Sequence, residues 1–204
     1  MMLQLLFRRI AFVIVLLWPV IPIFWIPVHC YPRFFRRLGL LTYIFPAVTW
    51  TPLALFLFSR EGTIMNYAFE TQPLLMAAGG FFLFAGTALQ VWTGRLLTLK
   101  GLMGMPEVSG RVESRFVRSG PYRVVRHPTY LSHTLMFLGL ALLSGLAAMG
   151  LVTLLDFALV RFIVIPLEDR ELSVRFGPGF DVYRKEVPAF FPRLRSRKDQ
   201  GIRG

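Results

Sequence analysis

Ser119-Gly120-Pro121-Tyr122-Arg123-Val124-Val125-Arg126-His127-Pro128-Thr129-Tyr130 stands between a basic stretch and a long apolar run that begins at Leu131. A Gly-Pro turn signal, one titratable histidine, a second proline and two tyrosines crowd into this short segment. Pro128 biases the backbone of His127 away from helix and suits the first turn of the apolar helix behind it. His127 therefore sits at the mouth of that helix, beside arginines, where a ring nitrogen can donate to an anionic group. Anchoring alone would not need so much special backbone and polar chemistry at one membrane edge, and the segment is the candidate active site.

Outward from it, the chain is dominated by apolar runs. Of its 204 residues, 55% are hydrophobic and 17% charged, where a soluble domain carries about 25% charged residues. Five runs are long enough to approach a membrane crossing, near residues 10–28, 38–58, 74–92, 131–148 and 151–167. The first contains Pro19, Pro22 and Pro27 and is expected to be kinked or partly unwound, since each proline removes a helix donor. It is too long for a signal-peptide core and no small-residue cleavage site follows, so it reads as a first span. The second is interrupted by Pro46 and Pro52. The third carries Gly79, Gly80 and Gly86 among alanines, a small-residue face for close helix packing. Only Met149-Gly150 separates the last two runs, which predicts a tight antiparallel hairpin turning there. The expected fold is an all-α, polytopic membrane bundle of about five transmembrane helices. Residues 1–93 hold the first three spans, residues 94–192 the catalytic region with the hairpin, and residues 193–204 a basic tail.

The net charge of +12 comes without a soluble basic domain or recognition motif, so nucleic acid is not an expected partner. The charge lies between the apolar runs and in the tail, where it reads as topology and attraction to anionic lipid. Residues 93–130 contain Arg95, Lys100, Arg111, Arg115, Arg118, Arg123 and Arg126 against Glu107 and Glu113, and the first loop contains Arg33, Arg36 and Arg37. These segments and the tail fall on one side, which the positive-inside rule makes cytoplasmic. Arg60, near Glu61 and Glu70, gives the opposite side little bias, while Arg8 and Arg9 run against the scheme. A single cysteine, Cys30, excludes an intramolecular disulfide and a multi-cysteine metal site. The three histidines show no ligand spacing, so no metal is expected.

Other polar residues are more ambiguous. His133, inside an apolar run, reads as a packing residue, and His29 beside Cys30 as an amphipathic ring at a membrane edge. Glu168, Asp169 and Glu171 leave the fifth run together. They either bind hydroxyls or an amine, or form a solvated helix end paired with Arg170 and Arg175. Asp156 and Arg161 lie within the fifth run, where ionisable groups are costly and face a partner or a cavity. They either pair along the helix or leave Arg161 to reach a substrate head group.

Residues 120–130 resemble the signature of the isoprenylcysteine carboxyl methyltransferase and phospholipid methyltransferase superfamily. Glu168-Asp169-Arg170-Glu171-Leu172, Phe176-Gly177, Tyr183, Val187-Pro188 and Pro192 resemble its carboxyl-terminal pattern, so the likeness spans residues 114–192. It implies an integral membrane methyltransferase using S-adenosylmethionine, with a cytoplasmic cofactor site formed by the loop before the fourth helix and the C-terminal segment. The implied cofactor-binding residues are Ser114, Arg115, Phe116, Val117, Tyr122, His127, Pro128, Thr129, Tyr130 and Glu168. Ser114 stands where prenylcysteine enzymes have histidine, Phe180 where the family often has tyrosine, and Asp169 is the second acid of the pair. Those enzymes also carry a catalytic arginine one turn before the acids, where this chain has Val164. Arg161, one turn earlier still, is the candidate substitute, so Glu168 and Arg161 are the expected catalytic residues. The implied acceptor is a lipid or a prenylated small molecule. Two other readings stay open: an NADPH-using sterol-reductase-like enzyme, which shares Arg-His-Pro-x-Tyr but in a longer chain, and a noncatalytic lipid-binding membrane protein.

Overall fold

The computed structural model describes residues 2–102 and 116–192. Ser114, Arg115 and the basic tail at residues 193–204 lie outside the described residues. The described chain is helical throughout, with one isolated antiparallel bridge between Ala68 and Leu146.

Prolines set most of the boundaries. Helix α1 (Met2–Leu17) stops before Trp18-Pro19, and α2 (Val20–Cys30) resumes with Pro27 inside it, the interruption expected from the prolines of this run. Pro32 opens α3 (Pro32–Leu38), and a 3₁₀ turn, Gly39–Tyr43, leads into α4 (Ile44–Ser59). A short α5 (Glu61–Asn66) follows, then the long α6 (Pro73–Leu102), which continues well past the apolar run that predicted it. Beyond a 3₁₀ turn at Gly120–Arg123, Pro128 begins α7 (Pro128–Ser144). Then α8 (Ala147–Leu159), a π-helical turn (Val160–Val164) and α9 (Ile165–Phe176) run on without a break, and α10 (Pro178–Glu186) closes the described helices.

Four stretches are long and apolar enough to cross a membrane: Met2–Cys30, Pro32–Ser59, Pro73–Leu97 and Ala147–Phe176. The 17 residues of α7 make a helix of about 26 Å, which supplies a fifth pass packed along α6. That contact is intimate because both sides are small. A Cβ built on Gly139 would lie 2.5 Å from Leu83 N and 2.7 Å from Gly79 O, and one on Gly86 would lie 2.8 Å from Ser132 O. Gly79 and Gly86 thus serve packing within the chain, as their spacing suggested, whereas Gly80 faces open space.

The hairpin turns earlier than expected. Gly145 takes the left-handed conformation (φ 66°) and caps α7, while Met149-Gly150 lies inside the first turns of α8. Glycine alone adopts this cap without strain, and the turn is stitched to the loop after α5 by Phe69 N–H to Gly145 O (3.0 Å) and Ala147 N–H to Tyr67 O (2.9 Å). Arg8 donates to Ser144 O (3.0 Å) and Phe69 O (2.9 Å), and Arg9 pairs with Glu61. The two arginines that ran against the charge scheme therefore tie down this end of the bundle, opposite the end of α7 that carries His127.

The main core joins α1, α7 and α8 through Ala11, Phe12, Val15, Phe137, Leu140 and Met149. Asp156 is buried in it, accepting from Trp18 Nε1 at 2.8 Å. Its partner is thus the indole at the α1–α2 break, and the pairing with Arg161 along one helix is not formed.

Candidate active site

The site is assembled from three parts of the chain that meet at the start of α7. His127, with φ −120° and ψ 61°, is held out of the helix by Pro128 and forms its N-cap. Its backbone N–H donates to Ala189 O (3.0 Å), and that of Arg126 to Pro188 O (2.8 Å). The segment after α10 is thereby laid against residues 126–127, and buried Phe190 packs there with Tyr130, Val164 and Ile165. Helix α9 delivers the acids. Asp169 accepts from Arg126 Nη2 at 2.7 Å and lies 3.0 Å from His127 Nε2, while Glu168 Oε2 lies 3.4 Å from His127 Nδ1.

His127 is 5% exposed and contacts a carboxylate at each ring nitrogen. Burial works against its charged form, but Glu168 and Asp169 outweigh burial and push its pKa up to about 9. The two carboxylates thus favour the imidazolium form of the ring. Arg126 is equally committed, its guanidinium also reaching the carbonyls of Arg184 (2.9 Å) and Val187.

The tyrosines line this cluster. Tyr130 stacks on His127 with ring centroids 5.8 Å apart. Tyr122 is buried, which pushes its phenol far above its ordinary value and keeps it neutral. Tyr183 donates to Tyr122 O at 2.7 Å, and burial pushes its own phenol up to about 12. Thr129 Oγ1 is buried beside the Tyr122 phenol, and Glu168 Oε2 is buried beside His127 and Tyr130.

Tyr122, His127, Pro128, Thr129, Tyr130 and Glu168 are brought to one place, as the sequence reading required. Phe116 stands at the approach. Its ring stacks on Phe176 (5.1 Å) and is covered by Arg118 (4.6 Å), which also donates to Gly179 O. Val117, beside it, is half-buried. Arg161 lies in the π-helical turn about two helical turns before Glu168, its guanidinium over Phe162 at 5.7 Å. Among the described residues it makes no hydrogen bond or ion pair with the cluster.

The sequence marked Asp169 as the second acid of a pair and Arg126 within residues 120–130, but not the ion pair that joins them across 43 residues. His29, read as a membrane-edge ring, is buried with its Nδ1 2.8 Å from Glu171 Oε2. Glu171 is held in turn by Arg36 Nη2 (3.0 Å) and by Arg175, so the first loop is fastened to α9. Chain position gave no hint of that contact.

The comparisons bear on the family. The family model described as phospholipid methyltransferase matches residues 74–178, just over half of the chain, from the start of α6 to the start of α10. The cobalt-zinc-cadmium resistance protein CzcN of Cupriavidus metallidurans is 39% identical over 114 residues, covering 50% of this chain and 52% of its own length. The nickel-cobalt-cadmium resistance protein NccN of Alcaligenes xylosoxydans xylosoxydans is 40% identical over 87 residues, 43% of this chain and 40% of its own length. The chain thus spans about half or less of the curated relatives it matches. No solved structure matches it.

Proposed function

The chain belongs to the phospholipid methyltransferase family, and from that premise we propose that it is a membrane-embedded methyltransferase. It uses S-adenosylmethionine and acts on a lipid or a prenylated small molecule that reaches the site from the bilayer. The observation that supports this reading is the closure of residues 126–130 over α9, which gathers His127, Tyr130 and the Glu168 and Asp169 carboxylates into one buried polar cluster at the start of α7.

The residues present suit such a cofactor: Glu168 would accept from its ammonium or a ribose hydroxyl, His127 would supply positive charge for its carboxylate, and Thr129 would offer a hydroxyl. Tyr122, Pro128 and Tyr130 form the wall, and Phe116 and Val117 the approach, with Ser114 and Arg115 completing the proposed set. When bound, the cofactor supplies a methyl group already activated on a sulfonium. The work left to the chain is to align an acceptor with that methyl and to keep water out. His127 holds its proton, locked between two carboxylates, and so acts as a fixed positive charge. Arg161 is proposed as the cation facing an acceptor head group.

An apolar cavity of about 350 Å³ between the α1–α2 break and α7 supports an acceptor with a hydrocarbon part. It is lined by Ile14, Leu17, Trp18, Ile21, His133 and Phe137. The catalytic end carries Arg33, Arg36, Arg37 and Arg123, which argues that it faces the cytoplasm. The metal resistance in the relatives' names stays with those proteins, and no described geometry carries it to this chain.

Calorimetry on the detergent-purified protein tests the proposal. S-adenosylmethionine should bind, and His127→Ala should abolish the binding while the helical circular dichroism is kept. Binding of NADPH in its place, or of neither, would remove the methyltransferase reading.

A further inference from the structure

Asp156 is a buried ionisable group that the proposed chemistry leaves unused. It lies within the span Ala147–Phe176 and is 2% exposed. Its Oδ1 accepts from Trp18 Nε1 at 2.8 Å, and its Oδ2 is buried with no hydrogen bond among the described residues. Ionisable groups inside a span are costly and mark a cavity or a pathway. The polar contact that Asp156 does make is to an indole in a broken stretch of helix. Pro19 has no N–H to offer Val15 O, and Pro22 has none to offer Trp18 O, which is bonded instead by Ile21 N–H at 2.9 Å in the tighter 3₁₀ pattern.

That break borders the apolar cavity of about 350 Å³, with Trp18 in its wall. Helices α1 and α2 run toward the catalytic end, as the Arg8–Ser144 and His29–Glu171 contacts show, while α7 runs away from it. Ile21 and His133 therefore line the part nearer the site, and Ile14 and Phe137 the deeper part. His133 and Phe137 are six and ten residues beyond His127 on α7, about 9 and 15 Å along its axis. An extended hydrocarbon advances about 1.2 Å per bond, a third of the rise of an extended residue. A chain with its reactive head at His127 thus crosses the cavity with about its eighth to twelfth carbons. It ends against Phe137, which is 9% exposed and packed in the main core with Ala11 and Met149. The volume is near the low end for small-ligand pockets, about 300–1,000 Å³, so it takes one chain and not two. Held from α8 by Asp156, the indole is a fixed side wall.

We propose that Trp18, held in place by Asp156, selects the methyl acceptor by its hydrocarbon part. The acceptor is a single-chain amphiphile whose chain extends about twelve carbons from the reactive head, and a diacyl lipid is disfavoured because its second chain meets the indole. This inference rests on the methyltransferase reading above and names the acceptor class for that site. Trp18 is the specificity residue, and Asp156 is a positioning residue that acts through it. Asparagine at 156 keeps an oxygen for the indole N–H, whereas leucine, of similar size, does not. A lipid chain of the bilayer is the other occupant an apolar space of this kind could take, and the test separates the two.

The test combines three readouts on the full chain in detergent or vesicles. Calorimetry with S-adenosylmethionine comes first, because a wild-type protein that does not bind it brings down the methyltransferase reading and this inference together. Second, dodecanol carrying a diazirine at about its tenth carbon is photolysed with the wild-type protein in vesicles, and the adducts are mapped by mass spectrometry. They should fall on Trp18, His133 and Phe137. Adducts confined to outward residues such as Phe81 and Phe84, 65% and 75% exposed, would mean bilayer lipid only and would overturn the proposal. This readout needs no turnover and stands even if a variant fails to fold. Third, tritiated-methyl S-adenosylmethionine is supplied to native-membrane vesicles carrying the protein, and the labelled products are separated by chain length and number. Trp18→Ala and Asp156→Leu should each raise the share of label in longer or two-chain products at least about tenfold. Asp156→Asn should keep the wild-type distribution, with cofactor affinity within about twofold of wild type in all three. With cofactor binding intact, a two-chain product from wild type overturns the role of Trp18 alone. So does a product distribution unchanged in Trp18→Ala and Asp156→Leu, the result expected of a hydrogen bond that only tethers the helices.

Discussion

Replacing Asp169 with asparagine is expected to loosen the catalytic end of the bundle and to flatten its response to pH. Asp169 is 7% exposed, accepts from Arg126 at 2.7 Å and lies 3.0 Å from His127. Removing one partner of a buried ion pair costs about 3–5 kcal/mol. Arg126 keeps the carbonyls of Arg184 and Val187, and His127 keeps Glu168, so the lower end, about 3 kcal/mol, applies. For a chain of this size that lowers Tm by about 6–12 °C. The pH effect has a definite sign. The pKa of His127 is raised from 6.5 to about 9 in the fold, so its contribution is complete below about 6.5 and is lost as pH rises through about 9, up to about 3 kcal/mol in all. The Asp169→Asn variant retains Glu168 as the single carboxylate raising that pKa, and the loss of stability across this window should shrink. Thermal unfolding in detergent, followed by tryptophan fluorescence across the window, measures both effects. Equal midpoints and parallel pH dependence for Asp169→Asn and wild type would refute the buried-cluster reasoning.

Three further outcomes are expected. Gly139→Ala places a Cβ against the backbone of Leu83 and Gly79 and should cost about 2–3 kcal/mol, whereas Gly80→Ala, with nothing within 4 Å, should gain about 0.5–1 kcal/mol; paired melting curves decide. Glu168→Gln removes the charge that receives the cofactor and should raise the Kd for S-adenosylmethionine about tenfold or more, measured by calorimetry at constant pH. Arg161→Ala should leave that Kd unchanged and raise the acceptor KM in a methyl-transfer assay; a change in cofactor affinity would move Arg161 to the cofactor side.

The spans were legible because long apolar runs have few soluble alternatives, and the prolines announced the break before α2 and the start of α7. The hairpin turn was misplaced because composition does not say which glycine takes the left-handed cap. Gly145 does so with the loop after α5 bonded to it, a tertiary contact that leaves no local trace. The meeting of residues 122–130 with Glu168 was legible through two motifs whose order implied it. Asp156 and His29 were not, because their partners Trp18 and Glu171 lie 138 and 142 residues away. Local reasoning offered Asp156 a neighbour on its own helix, and the fold gave it an indole from the α1–α2 break. The π-helical turn that carries Arg161 and Val164 was equally invisible, since its extra residue per turn is set by packing and not by any local signal.

Methyl transfer itself is the central claim, and the most direct measurement is label from tritiated-methyl S-adenosylmethionine entering the extractable lipid and small-molecule fraction of membranes that contain the protein. Label should appear with the wild-type chain and vanish with His127→Ala at equal protein level. Membranes that incorporate no label above a no-protein control, from a wild-type chain shown to be folded, would contradict the account.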